Sequence, residues 1–87
     1  MEPINNDNVR AALKTHHIDA LMELFQAGAY SVLIEETNRL LADFPEHPFL
    51  YNVLGISKAK LELFGGAIKD YQQAIKYKPD YADAYNN

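Results

Sequence analysis

Reactive or ligand-binding chemistry in this sequence would have to come from a few places: His16-His17, His47, Glu35-Glu36 and Gly65-Gly66. A metal centre needs ligands that converge. Neighbouring residues on a helix point about 100° apart, so His16 and His17 do not share an ion as an i, i+4 pair can. His47 lies in a turn segment between Pro45 and Pro48, with no cysteine or placed carboxylate to join it. Glu35-Glu36 could serve as an acid–base pair, but no His, Ser or Lys stands where a nucleophile, base and orienting group would meet. Gly65-Gly66 has neither a preceding strand nor a following Lys-Ser/Thr to make a phosphate cradle, and reads as a turn entering the next helix. These residues imply no catalytic site, no metal and no cofactor.

The chain that must position any site has 87 residues, 48% of them apolar, which is one small domain and not a disordered tail. Its net charge of −4 argues against nucleic acid, which recruits clustered Lys and Arg. The charge is uneven. Residues 1–47 hold eight carboxylates against three cations, while residues 48–87 hold four against five. Lys58, Lys60, Lys69, Lys76 and Lys78 read as a solvated helix face. The absence of cysteine excludes disulfides and thiolate sites. "MEPINNDNVR" has no apolar core of a secretory signal, and no run approaches the roughly 20 apolar residues that span a bilayer. The expectation is a cytoplasmic chain without a membrane partner.

Self-similarity at a spacing of 34 organises the rest. It pairs Tyr30 with Phe64, Leu33 with Ala67, Ile34 with Ile68, Leu41 with Ile75, Pro45 with Pro79, Tyr51 with Tyr85 and Asn52 with Asn86. "YSVLIEETNRLLADF" places Tyr30, Leu33, Ile34, Thr37, Leu40, Leu41 and Phe44 on one helical face. Its counterpart places Phe64, Ala67, Ile68, Tyr71, Ala74 and Ile75 inside, with Lys69, Asp70, Gln72, Gln73 and Lys76 outside. Both helices should stop before their prolines. "FLYNVLGISKAKL" is apolar on two sides (Leu50, Tyr51, Leu54, Gly55 and Leu61; then Phe49, Val53 and Ile56), as for a helix packed between neighbours, and Pro48 suits its first turn. "IDALMELFQAG" offers Leu21, Leu24 and Phe25 and a stop at Gly28. Upstream, "VRAALKTHH" with Asp7 or Asn8 as cap either runs on into that helix or breaks near Thr15.

The segment Pro48–Tyr81 resembles a tetratricopeptide repeat, with Tyr51, Leu54, Gly55, Phe64, Ala67, Tyr71, Ala74 and Pro79 at that family's signature spacings. A weaker copy precedes it, keeping Gly28, Tyr30 and Pro45 but carrying Leu21, Leu33 and Thr37 at signature places. The resemblance implies an all-α, right-handed superhelical solenoid of antiparallel helix-turn-helix hairpins. Its parts would be a capping segment at 1–15, units at 16–47 and 48–81, and the start of a third at 82–87. The pattern halts one residue short of the next Leu-Gly pair. The chain therefore reads as the natural start of a longer array, cut at Asn87.

By the same resemblance, the first helices of successive units line a concave groove that binds an extended peptide or a partner protein. Carried over by position, the groove residues are Met22, Phe25, Phe49, Asn52, Val53, Ile56, Lys60 and Asn86, with Ile18, Asp19, Gln26, Asp83 and Asn87 beside them. Val53 and Ile56 are expected to be partly exposed. Chaperone-binding members clamp a terminal carboxylate with Lys, Asn and Arg. Here Ile18, Met22, Val53, Asp83 and Asn87 hold those places, so that clamp is missing. The asparagine ladder of O-linked N-acetylglucosamine transferases is matched at Asn87 but not at Asp19 or Val53. The function implied is a protein-interaction module. The alternative is a substrate-recruiting N-terminal region of a larger transferase with a glycosyltransferase-like or sulfotransferase-like domain beyond Asn87. The strip formed by Ile68, Tyr71 and Ile75 further predicts self-association through the last helix.

Overall fold

Two three-residue turns, 34 positions apart, set the architecture. The computed structural model describes residues 13–80, and its regular structure there is four helices: α1 (Thr15–Gln26), α2 (Tyr30–Asp43), α3 (Pro48–Lys60) and α4 (Phe64–Tyr77). After α1 the Ala29 N–H donates to the Leu24 carbonyl at 2.9 Å and the Gly28 N–H to that of Phe25 at 3.0 Å. After α3 the Leu63 N–H donates to Lys58 at 2.8 Å and the Glu62 N–H to Ala59 at 3.0 Å. Both are the paired bonds of a Schellman cap, which needs a left-handed residue at its centre. Gly28 has φ 74° and Glu62 has φ 63°. Glycine adopts that conformation freely, whereas a residue with a Cβ is strained there. Because this turn is complete at Leu63, Gly65 and Gly66 lie inside the first turn of α4, not in the connection where the sequence pattern put them.

Each hairpin's second helix ends just before its proline, at Asp43 and at Tyr77. Phe44 and Lys78 have already left helical geometry (φ −130°, ψ 65°; φ −146°, ψ 86°). Pro48 opens α3 where no N–H is needed. Lys14 is extended (φ −84°, ψ 156°), so α1 starts at Thr15 and does not continue from an upstream helix. Otherwise the expected capping segment, like the expected third unit at 82–87, lies outside the described residues. No helix among those residues is long and apolar enough to cross a membrane.

The result is two all-α helical hairpins packed on one another, with α3 against both α2 and α4. Leu21, Leu33, Leu50 and Val53 form the core shared by α1, α2 and α3, each contributing about 1.5–3 kcal/mol through burial. α3 is buried on several sides, through Leu50, Asn52, Val53, Leu54, Gly55 and Ser57. Its buried hydroxyl is satisfied internally, Ser57 donating to the Val53 carbonyl at 2.7 Å, and Thr37 does the same to Leu33 at 2.7 Å. The hairpins solve one packing problem with bulk on opposite sides. The first sets Leu21 and Leu33 with Thr37, while at the positions 34 later the second has Gly55 and Ala67 with Tyr71. A Cβ on Gly55 would lie 2.5 Å from Tyr71 Cε1, so glycine is what lets the Tyr71 ring sit on α3. Tyr51 ties the hairpins at their outer end, stacking on Tyr77 with ring centroids 5.8 Å apart and donating to the Pro45 carbonyl at 2.8 Å.

Three sidedness expectations are corrected. Asp70, read as solvated, is buried, and Lys58 Nζ lies 2.9 Å from its Oδ2. The Lys58 stem reaches it by crossing Gly66, where a Cβ would come within 3.1 Å of Cδ. Lys58 is thus taken out of the solvated lysine face by a partner one helix away. Phe64 and Ile68, read as inward, are 59% and 55% exposed. Their counterparts Tyr30 and Ile34 are half-buried because α3 packs on α2, while no described helix packs on that side of α4. Leu61, read as part of an apolar stripe, is exposed because it already belongs to the turn.

Replacing the strained residue tests the turn argument. Glu62→Gly is expected to raise unfolding stability by about 1 kcal/mol, measured by urea denaturation, whereas Gly28→Ala is expected to lower it by a similar amount. No change in either would remove the left-handed turns from the account of this fold.

Candidate binding groove

The turns at 27–29 and 44–47 each reverse the chain, so α1 and α3 run in the same direction with a groove between them. Met22 and Phe25 from α1, with Val53 and Ile56 from α3, enclose an apolar cavity of about 90 Å³. Sharing Phe25 and Ile56, the groove widens toward the C-terminal ends of the helices into a depression of about 410 Å³ completed by Ala59, Lys60 and Tyr71. Phe25 is held edge-on to Tyr30, centroids 5.8 Å apart, which fixes one wall from α2.

The groove candidates therefore divide. Met22, Phe25, Val53, Ile56 and Lys60 come together. Val53 forms the floor, since it is only 5% exposed, against the expectation of partial exposure. It is a core residue that the cavity happens to reach, because Leu21, Leu33 and Leu50 pack beneath it. Asn52 is 9% exposed and Phe49 packs on the core cluster. Neither lines the cavity. Ile18 is half-buried, and Asp19 and Gln26 are exposed along α1. Asp83, Asn86 and Asn87 lie outside the described residues.

Two lining residues, Ala59 and Tyr71, were not among the candidates. Helical spacing alone assigns Tyr71 to the core. Gly55 was the available signal, because a missing side chain on α3 lets a long ring from α4 cross to the groove side. Burial raises the Tyr71 pKa above its ordinary value, so its phenol remains a neutral donor and acceptor at the groove's edge.

The histidines meet in an unforeseen way. His16 and His17 have ring centroids 4.2 Å apart. His17 then meets Phe44 at 6.3 Å, Phe44 meets His47 at 6.5 Å, and His47 meets Phe49 at 6.3 Å. His17 Nδ1 accepts the Lys14 N–H at 3.2 Å at the start of α1. This is an edge-to-face ring series that seals the junction between hairpins. Among the described residues no three His, Asp or Glu side chains gather as metal ligands. A hollow of about 380 Å³ beside it is lined wholly by the continuous segment Asp43–Pro48 and is the concave side of the turn. Glu36 pairs with Arg39 at 3.4 Å on an exposed surface, which leaves Glu35-Glu36 as solvated charge.

Burial lowers the His47 pKa below its ordinary 6.5. The folded chain thus holds that proton less firmly than the unfolded chain. The resulting stability is present above about pH 6.5 and is lost as pH falls through the lowered folded value. Thermal unfolding between about pH 7 and pH 5.5 should show a falling midpoint that is reduced in His47→Gln. Equal pH dependence in the variant would show that His47 is not the responsible group.

Compared with known proteins, residues 59–87 match a family model described as TPR repeat, covering the end of α3, the turn at Glu62, α4 and the residues that follow. No curated protein matches the chain, and no solved structure does.

Proposed function

We propose that the chain, whose residues 59–87 match a TPR repeat, is a tetratricopeptide-repeat protein-interaction module that binds an extended peptide of a partner protein in the groove between α1 and α3. The units taken to build it run over residues 16–47 and 48–81. One observation carries the reading: side chains from two helices 34 residues apart close an apolar cavity that stays open to solvent and is flanked by Lys60, a cation with no ion pair among the described residues. Cavities that collapse onto their own core do not present such a combination, and concave apolar sites with a few polar groups are where ligands bind.

Binding partners captured by the full chain and then purified provide the test. Ile56→Asp and Phe25→Ala are expected to weaken binding at least about tenfold, as loss of a buried interface anchor does, with the helical circular dichroism preserved. Lys69→Ala and Lys76→Ala, on the exposed side of α4, should leave it unchanged. Loss of binding only in the lysine variants would move the site to α4.

A second reading concerns α4 itself, whose exposed Phe64 and Ile68 adjoin exposed Leu61 and Leu63. The matching outer side of α1 is polar: His16, Ala20 and Glu23 are exposed where, 34 residues later, Leu50, Leu54 and Ser57 are buried. Head-to-tail stacking of copies would press Phe64 onto Glu23 and His16. Contact between two α4 faces about a two-fold axis instead matches apolar with apolar. Sedimentation at tens of micromolar is expected to show a monomer–dimer equilibrium that Phe64→Glu shifts to monomer, and a clean monomer in the parent chain would refute it.

A further inference from the structure

Resting on the groove reading above, we infer that the ligand is a peptide carrying a mid-sized aliphatic side chain followed two residues later by an acidic side chain. The aliphatic group belongs in the cavity closed by Met22, Phe25, Val53 and Ile56. That space of about 90 Å³ is apolar throughout; it takes a Val, Leu or Ile side chain and offers a polar one no partner.

The acidic preference comes from the lysines. Lys58 is committed to Asp70 at 2.9 Å. Lys60 is exposed, lines the wider part of the groove, and makes no ion pair among the described residues. It stands one helical turn after Ile56, about 6 Å along the axis. Alternate residues of an extended peptide lie about 6.6 Å apart on the same side, so a peptide running parallel to α1 and α3 with residue i in the cavity brings residue i+2 to Lys60. Asp19, exposed one turn before Met22, disfavours a carboxylate near it. The two charges therefore orient the peptide, acidic residue toward the C-terminal ends of α1 and α3.

Fluorescein-labelled probes with blocked ends test this on the full chain by anisotropy. The parent probe contains Ile-Ser-Glu in a Gly/Ser frame, and companions carry Lys for the Glu, Ala for the Ile, or a free terminal carboxylate in place of the Glu. The Ile-Ser-Glu probe is expected to bind about 3–5-fold more tightly than its Lys companion, the size of one exposed charge contact. The gap should close in about 0.5 M salt, and Lys60→Glu should invert the order of the two probes. The Ala companion should bind about tenfold more weakly.

Equal binding of the Glu and Lys probes, with both weakened by Ile56→Asp, would overturn the acidic preference and leave the groove in place. A preference for the free-terminus probe would overturn the assignment to an acidic side chain. Binding that is indifferent to Ile56→Asp would remove the groove reading too. Failure of the Ile-Ser-Glu probe to bind at millimolar concentration would overturn the inference, while capture of partner proteins decides the groove separately.

Discussion

α3 is the helix on which the arrangement depends. It packs on α2 on one side and α4 on the other, and it carries more buried residues than any other described helix. That position is possible because its composition changes around the axis. Leu50 and Val53 face the core of the first hairpin, Gly55 yields its volume to Tyr71, and Ser57 turns its hydroxyl back on its own carbonyl at 2.7 Å. A polar group that needed an outside partner at Ser57 would cost the desolvation of an unpaired donor, about 1–3 kcal/mol. With α3 seated, α1 and α4 are placed relative to one another, and so are the groove walls.

The turns convert this packing into a repeating unit. A Schellman cap fixes where the chain leaves one helix and where it enters the next, so the angle between paired helices follows from a few backbone hydrogen bonds. Both hairpins use the same bonds at the same offset, although one has glycine at the left-handed position and the other glutamate. The backbone requirement thus persists where the preferred residue does not, because packing of Ala67 and Ala74 into the second hairpin outweighs a local strain of about 1–2 kcal/mol.

Charge and apolar surface are distributed along the molecule rather than around it. The outer side of α1 carries His16 and Glu23, whereas the outer side of α4 carries Phe64 and Ile68. The first side is compatible with water as it stands and the second is suited to contact. Between them, the groove floor stays apolar, with Lys60 at its wider end. The same lysine-rich half that looks like a uniform solvated face therefore contains one cation used inside the protein, Lys58, and one exposed at the groove's wider end, Lys60.

Periodicity in the sequence was enough for the four helices, their proline-limited ends and the buried positions Leu33, Thr37, Leu54, Ala67 and Ala74, because a helix repeats its faces every 3.6 residues whatever surrounds it. It was also enough to mark Gly28 as a stop and α3 as a helix packed on more than one side. Which face is covered, and by what, belongs to the tertiary structure. Phe64 and Tyr30 hold equivalent positions in the pattern, yet among the described helices one packs over Tyr30 and none over Phe64. Asp70 reads as an outward residue until Lys58, twelve residues earlier and on another helix, reaches across Gly66 to it. Val53 and Ile56 share a stripe, but the core beneath Val53 makes it a floor and Ile56 a wall. Side-chain pattern specifies direction from a helix axis, whereas burial and pairing depend on the distance to the next axis, and that distance exists only once α3 is seated between its neighbours.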